Sequence, residues 1–193
     1  MINFILATTT DGGFGYRGQL PWHYKEDFTV FKKLTLNSTI VMGRSTWESL
    51  PRKPLPDRYS LVITSEYATP RVEHGYAFLN MDNFLQYIGI DNEFASDDKA
   101  VWVIGGAKLF KRLIPLCSYV HHTNIDKRYS CDTFFDIHKE MSLELINTDK
   151  VRPKSALSFS LYRSSASPIP RNTEYEKKVQ SIRRRALGIE KTA

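Results

Sequence analysis

One acid in this chain sits among aromatic residues at helical spacing. In residues 20–34, LPWHYKEDFTVFKKL, a helix from Tyr24 to Leu34 would align Asp27 with Tyr24, Phe31 and Leu34, with Phe28 one step round. Lys25, Thr29, Lys32 and Lys33 fall mostly elsewhere on the wheel. A carboxylate so placed either points toward an apolar interior or complements the helix dipole from the first turn, as Glu26 does from solvent. The spacing leaves both readings open. A second chemical pattern is the apolar run Thr39–Met42 leading into Gly43-Arg44-Ser45-Thr46-Trp47. A strand passing through glycine into a helix offers free N–H groups, two hydroxyls and a guanidinium to an anion. It is equally an ordinary turn capped by Ser45 or Thr46. The arrangement recurs where Ala100–Ile104 enters Gly105-Gly106 and then a helix from Ala107 to Leu113, stopped before Pro115. Two such junctions suit a ligand with more than one phosphate.

Other chemistries find little support. His121 and His122 are neighbours on a predicted strand, Ser118–Ile125, so they face opposite sides and cannot chelate one ion. No metal site, nucleophile elbow or P-loop is expected. Cys117 and Cys131 show neither CxxC spacing nor a disulfide framework, which fits a reducing, intracellular setting.

These residues must be held by an α/β framework. Ile2–Ala7, Thr39–Met42, Tyr59–Thr64, Tyr76–Leu79 and Ala100–Ile104 read as strands. Leu143–Asn147 and Leu157–Tyr162 alternate as an antiparallel pair. Asp82 is expected to cap a helix through Ile90, with polar linker at 91–99. The expected fold is one α/β domain with a mixed, mostly parallel sheet of about eight strands, a C-terminal antiparallel hairpin and about four flanking helices. Between Thr8 and Trp22 stand Gly12, Gly13, Gly15, Gly18 and Pro21, a density expected to leave no regular element. A loop of that length beside the Asp27 helix reads as a lid.

The chain has 193 residues, 41% hydrophobic and 12% aromatic, enough for one core, and no apolar run approaches a bilayer span. Its first residues read as a strand, not a signal peptide. The net charge of +6 is uneven: residues 1–163 carry 20 basic against 18 acidic residues, and 164–193 carry 7 against 3. The globular body is therefore only mildly basic, which argues against a nucleic-acid-binding domain and suits an anionic small molecule.

The ordered motifs carry a resemblance. Leu20-Pro21-Trp22, Asp27 to Phe31, Met42 to Ser49, Leu55-Pro56-Asp57-Arg58, Val103 to Gly106 and Cys131-Asp132-Thr133 together resemble dihydrofolate reductase, of the bacterial type with aspartate at position 27. The match runs from Met1 to about Arg163. The resemblance implies an oxidoreductase that reduces 7,8-dihydrofolate to tetrahydrofolate with NADPH, supplies one-carbon metabolism and thymidylate synthesis, works in the cytoplasm and binds antifolates such as methotrexate. It gives Asp27 the pterin edge, with Trp22 fixing a water beside it and the Thr123 hydroxyl completing the network. Ala7, Phe28, Phe31, Leu50 and Ile104 would wall the pterin and aminobenzoyl rings, with Leu55 opposite. Arg58 would take the substrate's α-carboxylate, with Lys32 and Arg52 nearby.

For the cofactor, the resemblance implies Gly105, Gly106 and the helix start Ala107, Lys108, Leu109, Phe110 at the pyrophosphate, with the Gly105–Gly106 peptide in cis. Gly43 and Thr46 belong at the phosphates. Arg44, Ser45, Ser65 and Lys108 are placed toward the 2′-phosphate, and Ile63 and Thr64 beside the adenosine. Ala7, Phe14, Gly15, Leu20, Ile104 and Thr133 would lie around the nicotinamide and lid. Asp132 would hold the lid closed through the lid's backbone. The chain departs from the family at Phe14, Gly18 and Ser45, and by one extra residue between Ser49 and Arg58. Asp27 among apolar walls should have a raised pKa.

Residues 164–193 lie beyond the resemblance. SSASPIPRN reads as a linker, Thr173–Glu176 as a capping box, and Tyr175, Val179, Ile182 and Ala186 as an apolar stripe on a basic helix ending at Gly188. The stripe suits docking on the chain's own surface or on a second subunit, so the chain is expected as a monomer or a tail-mediated dimer. Nucleic acid enters only through this tail. A pyrimidine reductase of riboflavin synthesis would not be expected to pair an acid at Asp27 with Arg58. A binding protein derived from a reductase would use its tail on RNA and turn over little.

Overall fold

The apolar runs become the middle of one sheet. A computed structural model of the protein describes residues 1–90 and 100–189, so the linker expected at 91–99 lies outside the described residues. The strands are β1 (Ile2–Thr9), β2 (Gly13–Gly15), β3 (Thr39–Gly43), β4 (Tyr59–Ile63), β5 (Arg71–Glu73), β6 (Tyr76–Leu79), β7 (Val101–Gly105), β8 (Cys117–Ile125), β9 (Thr133–Phe134), β10 (Leu143–Lys150) and β11 (Leu157–Ser164). The helices are α1 (Lys25–Thr35), α2 (Arg44–Ser49), α3 (Met81–Ile90), α4 (Ala107–Leu113), α5 (Ile137–Glu140) and α6 (Thr173–Leu187), with a 3-10 turn at Ile114–Leu116. Nine strands pair in the order β10-β11-β8-β1-β7-β3-β4-β6-β5, and β2 pairs with β9 apart from them. The central strands are parallel; at the edges β5 and β11 run the other way, and β10, antiparallel to β11, returns to the central direction.

Continuous apolar runs make central strands because both faces of a parallel sheet are covered. Along β1, Phe4 and Leu6 join Val41, Val103, Phe110 and Ile137 on one side, beneath α3, α4 and α5. Ile5 and Ala7 turn to the other side with Ile40, Met42, Trp102 and Tyr119, beneath α1, α2 and α6. The three-layer arrangement leaves the carboxyl ends of β1, β3, β4 and β7 on one rim, where ligands sit in open α/β sheets.

Four local expectations need correction. The glycine-rich segment does form a regular element: Gly13 pairs with Phe134 and Gly15 with Thr133, because the partner strand β9 supplies the hydrogen bonds that β2 lacks alone. The cap of α3 is Asn80, whose side chain accepts from Asn83 N at 2.8 Å, so Asp82 falls inside the first turn. The cap of α6 is Asn172, accepting from Tyr175 N at 2.9 Å, and no Thr173–Glu176 box forms because Glu176 is drawn to Arg171. Neither Ser45 nor Thr46 caps α2, whose cap is Gly43 with no side-chain bond. The sheet also gains β5, three exposed residues with no apolar pattern to announce them.

Candidate active site

Asp27 sits in the first turn of α1, over the face of the sheet that carries Ala7 and Thr123. These two are register partners on β1 and β8. Burial lifts the Asp27 pKa to about 6, and the Thr123 hydroxyl nearby opposes that shift. Asp27 is half-buried with its carboxyl near Thr123, which favours the inward reading over the dipole-only one. Trp22 is buried beside it, and its ring N–H has no acceptor among the described residues. The Trp22 ring meets Tyr129 edge-on at 5.5 Å, and the Tyr129 hydroxyl lies 2.9 Å from that of Tyr24. Tyr129 thus ties the entry to α1 to the loop after β8, a role with no signal in the sequence pattern. Phe28 stays 38% exposed and packs on His23 at 4.9 Å, so it presents an aromatic surface next to the acid.

Phe31, Leu50, Leu55 and Ile104 are half-buried against the same core cluster as Trp22 and Ala7. Arg58 stands beyond Phe31, its guanidinium carbon 5.7 Å from the ring centre. Its Nε donates to Thr35 Oγ1 at 2.8 Å, one Nη to the Pro56 carbonyl at 2.6 Å, and the other to the Lys32 carbonyl at 3.2 Å. Among the described residues, then, every bond holding Arg58 runs to a neutral oxygen. The guanidinium is aimed with no direct ion pair among the described residues, although burial lowers its pKa and the Asp57 carboxylate acts on it at longer range. Lys32 and Arg52 are exposed around it.

The two glycine junctions meet. A Cβ on Gly43 would lie 3.9 Å from Gly106 N, and one on Gly106 would lie 3.5 Å from Thr46 Oγ1. Gly105 has φ +132°, and a Cβ there would touch Phe14 and Thr46, each at 3.4 Å. Only Gly105 needs glycine for its backbone; at Gly43 and Gly106 a Cβ would meet ordinary contact, and the absence of side chains leaves the backbone N–H groups of the junction open. The Gly105–Gly106 peptide is cis, as the resemblance implies. The first amides of α4 lack carbonyl partners inside the helix. Leu109 and Phe110 have buried side chains in the cluster against which Phe14, Ile63 and Ala107 pack, and their amides donate to Gly106 O at 2.9 and 3.1 Å. Ala107 is half-buried and Lys108 exposed at this rim. Ile63 and Thr64 follow at the end of β4, with Ser65 exposed.

Arg44 differs from the free guanidinium the pattern suggested. Its Nε contacts Glu48 Oε1 at 2.6 Å and an Nη contacts Glu66 Oε2 at 2.9 Å, with the Phe78 ring 5.1 Å from its carbon. The Tyr67 hydroxyl, then Glu48, raise its pKa. Glu48 also takes Lys53 at 3.3 Å. Glu66, one residue past Ser65, reaches Arg44 across 22 residues of sequence. Ser45 is exposed nearby.

The lid is tied to β9. Asp132 Oδ2 accepts from Arg17 N at 2.7 Å, and Asp132 N donates to Gly15 O at 2.9 Å. The Arg17 amide holds the Asp132 carboxyl below the usual carboxylate range. Phe14 packs on Phe110 at 5.8 Å, and Leu20 is 45% exposed. His121 and His122 do face opposite sides, toward Tyr175 and Thr8 respectively. Among the described residues no cluster of three potential metal ligands occurs.

Comparison with known proteins bears on this arrangement. The family model described as dihydrofolate reductase matches residues 1–164. The dihydrofolate reductase of Heliothis virescens is 30% identical over 164 residues, covering 78% of this chain and 86% of the relative. The bifunctional dihydrofolate reductase-thymidylate synthase of Paramecium tetraurelia is 29% identical over 166 residues; the match covers 81% of this chain and only 33% of that protein. Among solved structures, dihydrofolate reductase from Enterococcus faecalis complexed with NADP(H) and RAB-propyl aligns at TM-score 0.70 and 31% identity, covering 86% of this chain and 96% of that one.

Proposed function

The chain belongs to the dihydrofolate reductase family, and from that premise we propose how its own residues carry the NADPH-dependent reduction of 7,8-dihydrofolate to 5,6,7,8-tetrahydrofolate. The observation that supports this most is the half-buried Asp27 beside the buried Thr123, with Asp27 lifted to about 6 by desolvation. It stands on the same side of the sheet as Arg58, which is aimed and has no direct ion pair among the described residues.

Asp27 accepts two N–H bonds from the pterin edge, a charge-assisted pairing that fixes the ring's orientation. Thr123 donates to the same carboxylate and holds its rotamer. Arg58 takes the α-carboxylate at the far end of the substrate, with Lys32 and Arg52 adding positive field, and Ala7, Phe28, Phe31, Leu50, Leu55 and Ile104 lining the rings between. NADPH, when bound, supplies the hydride that reaches C6. The cradle at Gly43, Thr46, Gly105, Gly106 and the start of α4 fits its pyrophosphate, since any side chain there would fill the space. Arg44, Ser45, Ser65 and Lys108 would face its 2′-phosphate, and Ile63 and Thr64 its adenosine. Phe14, Gly15, Leu20 and Thr133 cover the nicotinamide end.

N5 must gain a proton as C6 gains the hydride. Asp27 lies on the other edge of the ring, so it acts by raising the basicity of N5, while a water held at the Trp22 N–H delivers the proton. Closing the lid excludes bulk water from this step. Antifolates that carry the same donor edge would compete for Asp27.

The free cysteines Cys117 and Cys131 support a reducing, cytoplasmic setting. Among the described residues no helix is long and apolar enough to cross a membrane. The apolar stripe of α6 is covered by the chain's own core, which favours a monomer over a tail-mediated dimer. Binding of nucleic acid through the tail has no observation behind it.

Mixing the protein with NADPH and dihydrofolate should make cofactor absorbance fall, and methotrexate should stop it. An unchanged absorbance, together with no methotrexate binding, would overturn the assignment.

A further inference from the structure

Residues 165–189, which the family match does not reach, pack on both elements that carry the Asp27–Thr123 pair, α1 and β8. Helix α6 lies against α1, the helix that carries Asp27. Its Tyr175, Val179 and Leu187 are buried in the cluster that includes Val30 and Leu34 of α1, with Tyr24 and Phe31 packed on it. The same helix also grips β8. On that strand Tyr119, His121 and Thr123 share one face, two residues apart. The Tyr119 hydroxyl accepts from Asn172 N at 2.9 Å and donates to Glu176 Oε1 at 3.1 Å. The Tyr175 hydroxyl lies 2.9 Å from His121 Nε2 and accepts from Asn3 Nδ2 at 2.8 Å. The next residue on this face of β8 is Thr123.

The register of α6 is pinned independently. Arg183 is buried, with its Nε 2.8 Å and an Nη 2.5 Å from Asp149 Oδ2 on β10, and it also donates to the Asn147 carboxamide. A buried ion pair adds little net stability, but breaking it leaves a charge stranded, so it opposes any slip of the helix. Asn172 at the start and Gly188 at φ +66° at the end close both termini.

We propose that α6 is a positioning element for catalysis, and that Tyr175 is its key residue. By fixing β8 at His121 and supporting α1 from behind, α6 sets the distance between Thr123 and Asp27. This rests on the folate reading above, and it assigns the tail to the substrate side: Tyr175 and Arg183 bond to β1, β8 and β10, and the apolar stripe packs on α1, away from the two glycine junctions that would hold the cofactor. Small displacements of an orienting group cost rate and affinity far out of proportion to their size.

The test uses full-length variants. Tyr175→Phe keeps the ring and removes the hydroxyl shared by Asn3 and His121; Val179→Ala opens space between α6 and the core without touching that bond; Lys177→Ala, on the exposed face, is the control. Tyr175→Phe is expected to raise the KM for dihydrofolate roughly tenfold while the KM for NADPH stays within about twofold, and Val179→Ala to move it in the same direction by less. Amide exchange within α1 should quicken in both variants, with β3 and β4 unchanged. A purely structural cover would move both KM values together or neither, and either result overturns the proposal. If the unaltered protein shows no turnover, the folate reading fails first, and unchanged exchange in α1 overturns the positioning role on its own.

Discussion

The two halves of the site handle charge differently. On the folate side Asp27 has the neutral Thr123 hydroxyl beside it, and the hydrogen bonds of Arg58 run only to neutral oxygens among the described residues. On the cofactor side Arg44 already contacts Glu48 and Glu66. The first arrangement keeps its charges ready for a ligand, at the cost of burying them. The second neutralises its guanidinium internally, so a phosphate arriving there must displace or share carboxylates. The folate end is therefore built to orient a reacting ring, and the 2′-phosphate end to hold a charge that chemistry does not touch.

The largest effect should come from Asp27→Asn, which removes the charge beside the pterin. Turnover at pH 7 is expected to fall roughly 10²- to 10³-fold and to recover partly in acid, where solvent can protonate N5 unaided. An unaltered pH–rate profile would remove Asp27 from the chemistry. Arg58→Leu comes next. Loss of a charge-assisted pairing of about 1.5–3 kcal/mol should raise the KM for dihydrofolate by roughly 10- to 150-fold with little change in kcat, measured by initial rates. An equal loss with a substrate lacking the glutamate would show that Arg58 acts otherwise.

Asp27 also predicts a stability difference. The unfolded chain ionises this group near 3.8 and the folded one near 6, so the folded state holds the extra proton between those values. Stability should therefore fall as pH rises from about 4 to about 6 and stay lower above. Relative to the unaltered protein, Asp27→Asn should be about 3 kcal/mol more stable at pH 7.5 and no more stable at pH 3.5, by denaturant titration. The smallest effect belongs to Glu66→Gln. Freeing one contact of an exposed arginine should lower the KM for NADPH roughly two- to threefold and leave that for NADH unchanged. A parallel shift in both would separate Glu66 from the 2′-phosphate.

How much of this could be read from residues alone follows the range of the forces involved. The central strands were readable because Thr39–Met42 and Ala100–Ile104 are apolar without interruption, and parallel strands are buried on both faces. The two glycine junctions and the Asp27 helix were readable for the same local reason. Strand β2 was not, because its stability comes from β9, some 120 residues on. The caps at Asn80 and Asn172 were missed because Asp82 and Thr173 fit the same preference one or two residues later. Arg44 was expected to be free because its partner Glu66 lies 22 residues away. Nor could the docking site of α6 be chosen from its stripe: the bond from Asn3 to Tyr175 spans 172 residues.

The central claim is that burial, only partly offset by Thr123, keeps the Asp27 carboxyl protonated well above the usual aspartate range. Titrating that carboxyl directly, by carbon NMR of labelled aspartate with Asp27→Asn to assign the signal, is the most direct test. A midpoint near 6 in the ligand-free protein is the predicted result; a midpoint near 4 would contradict it.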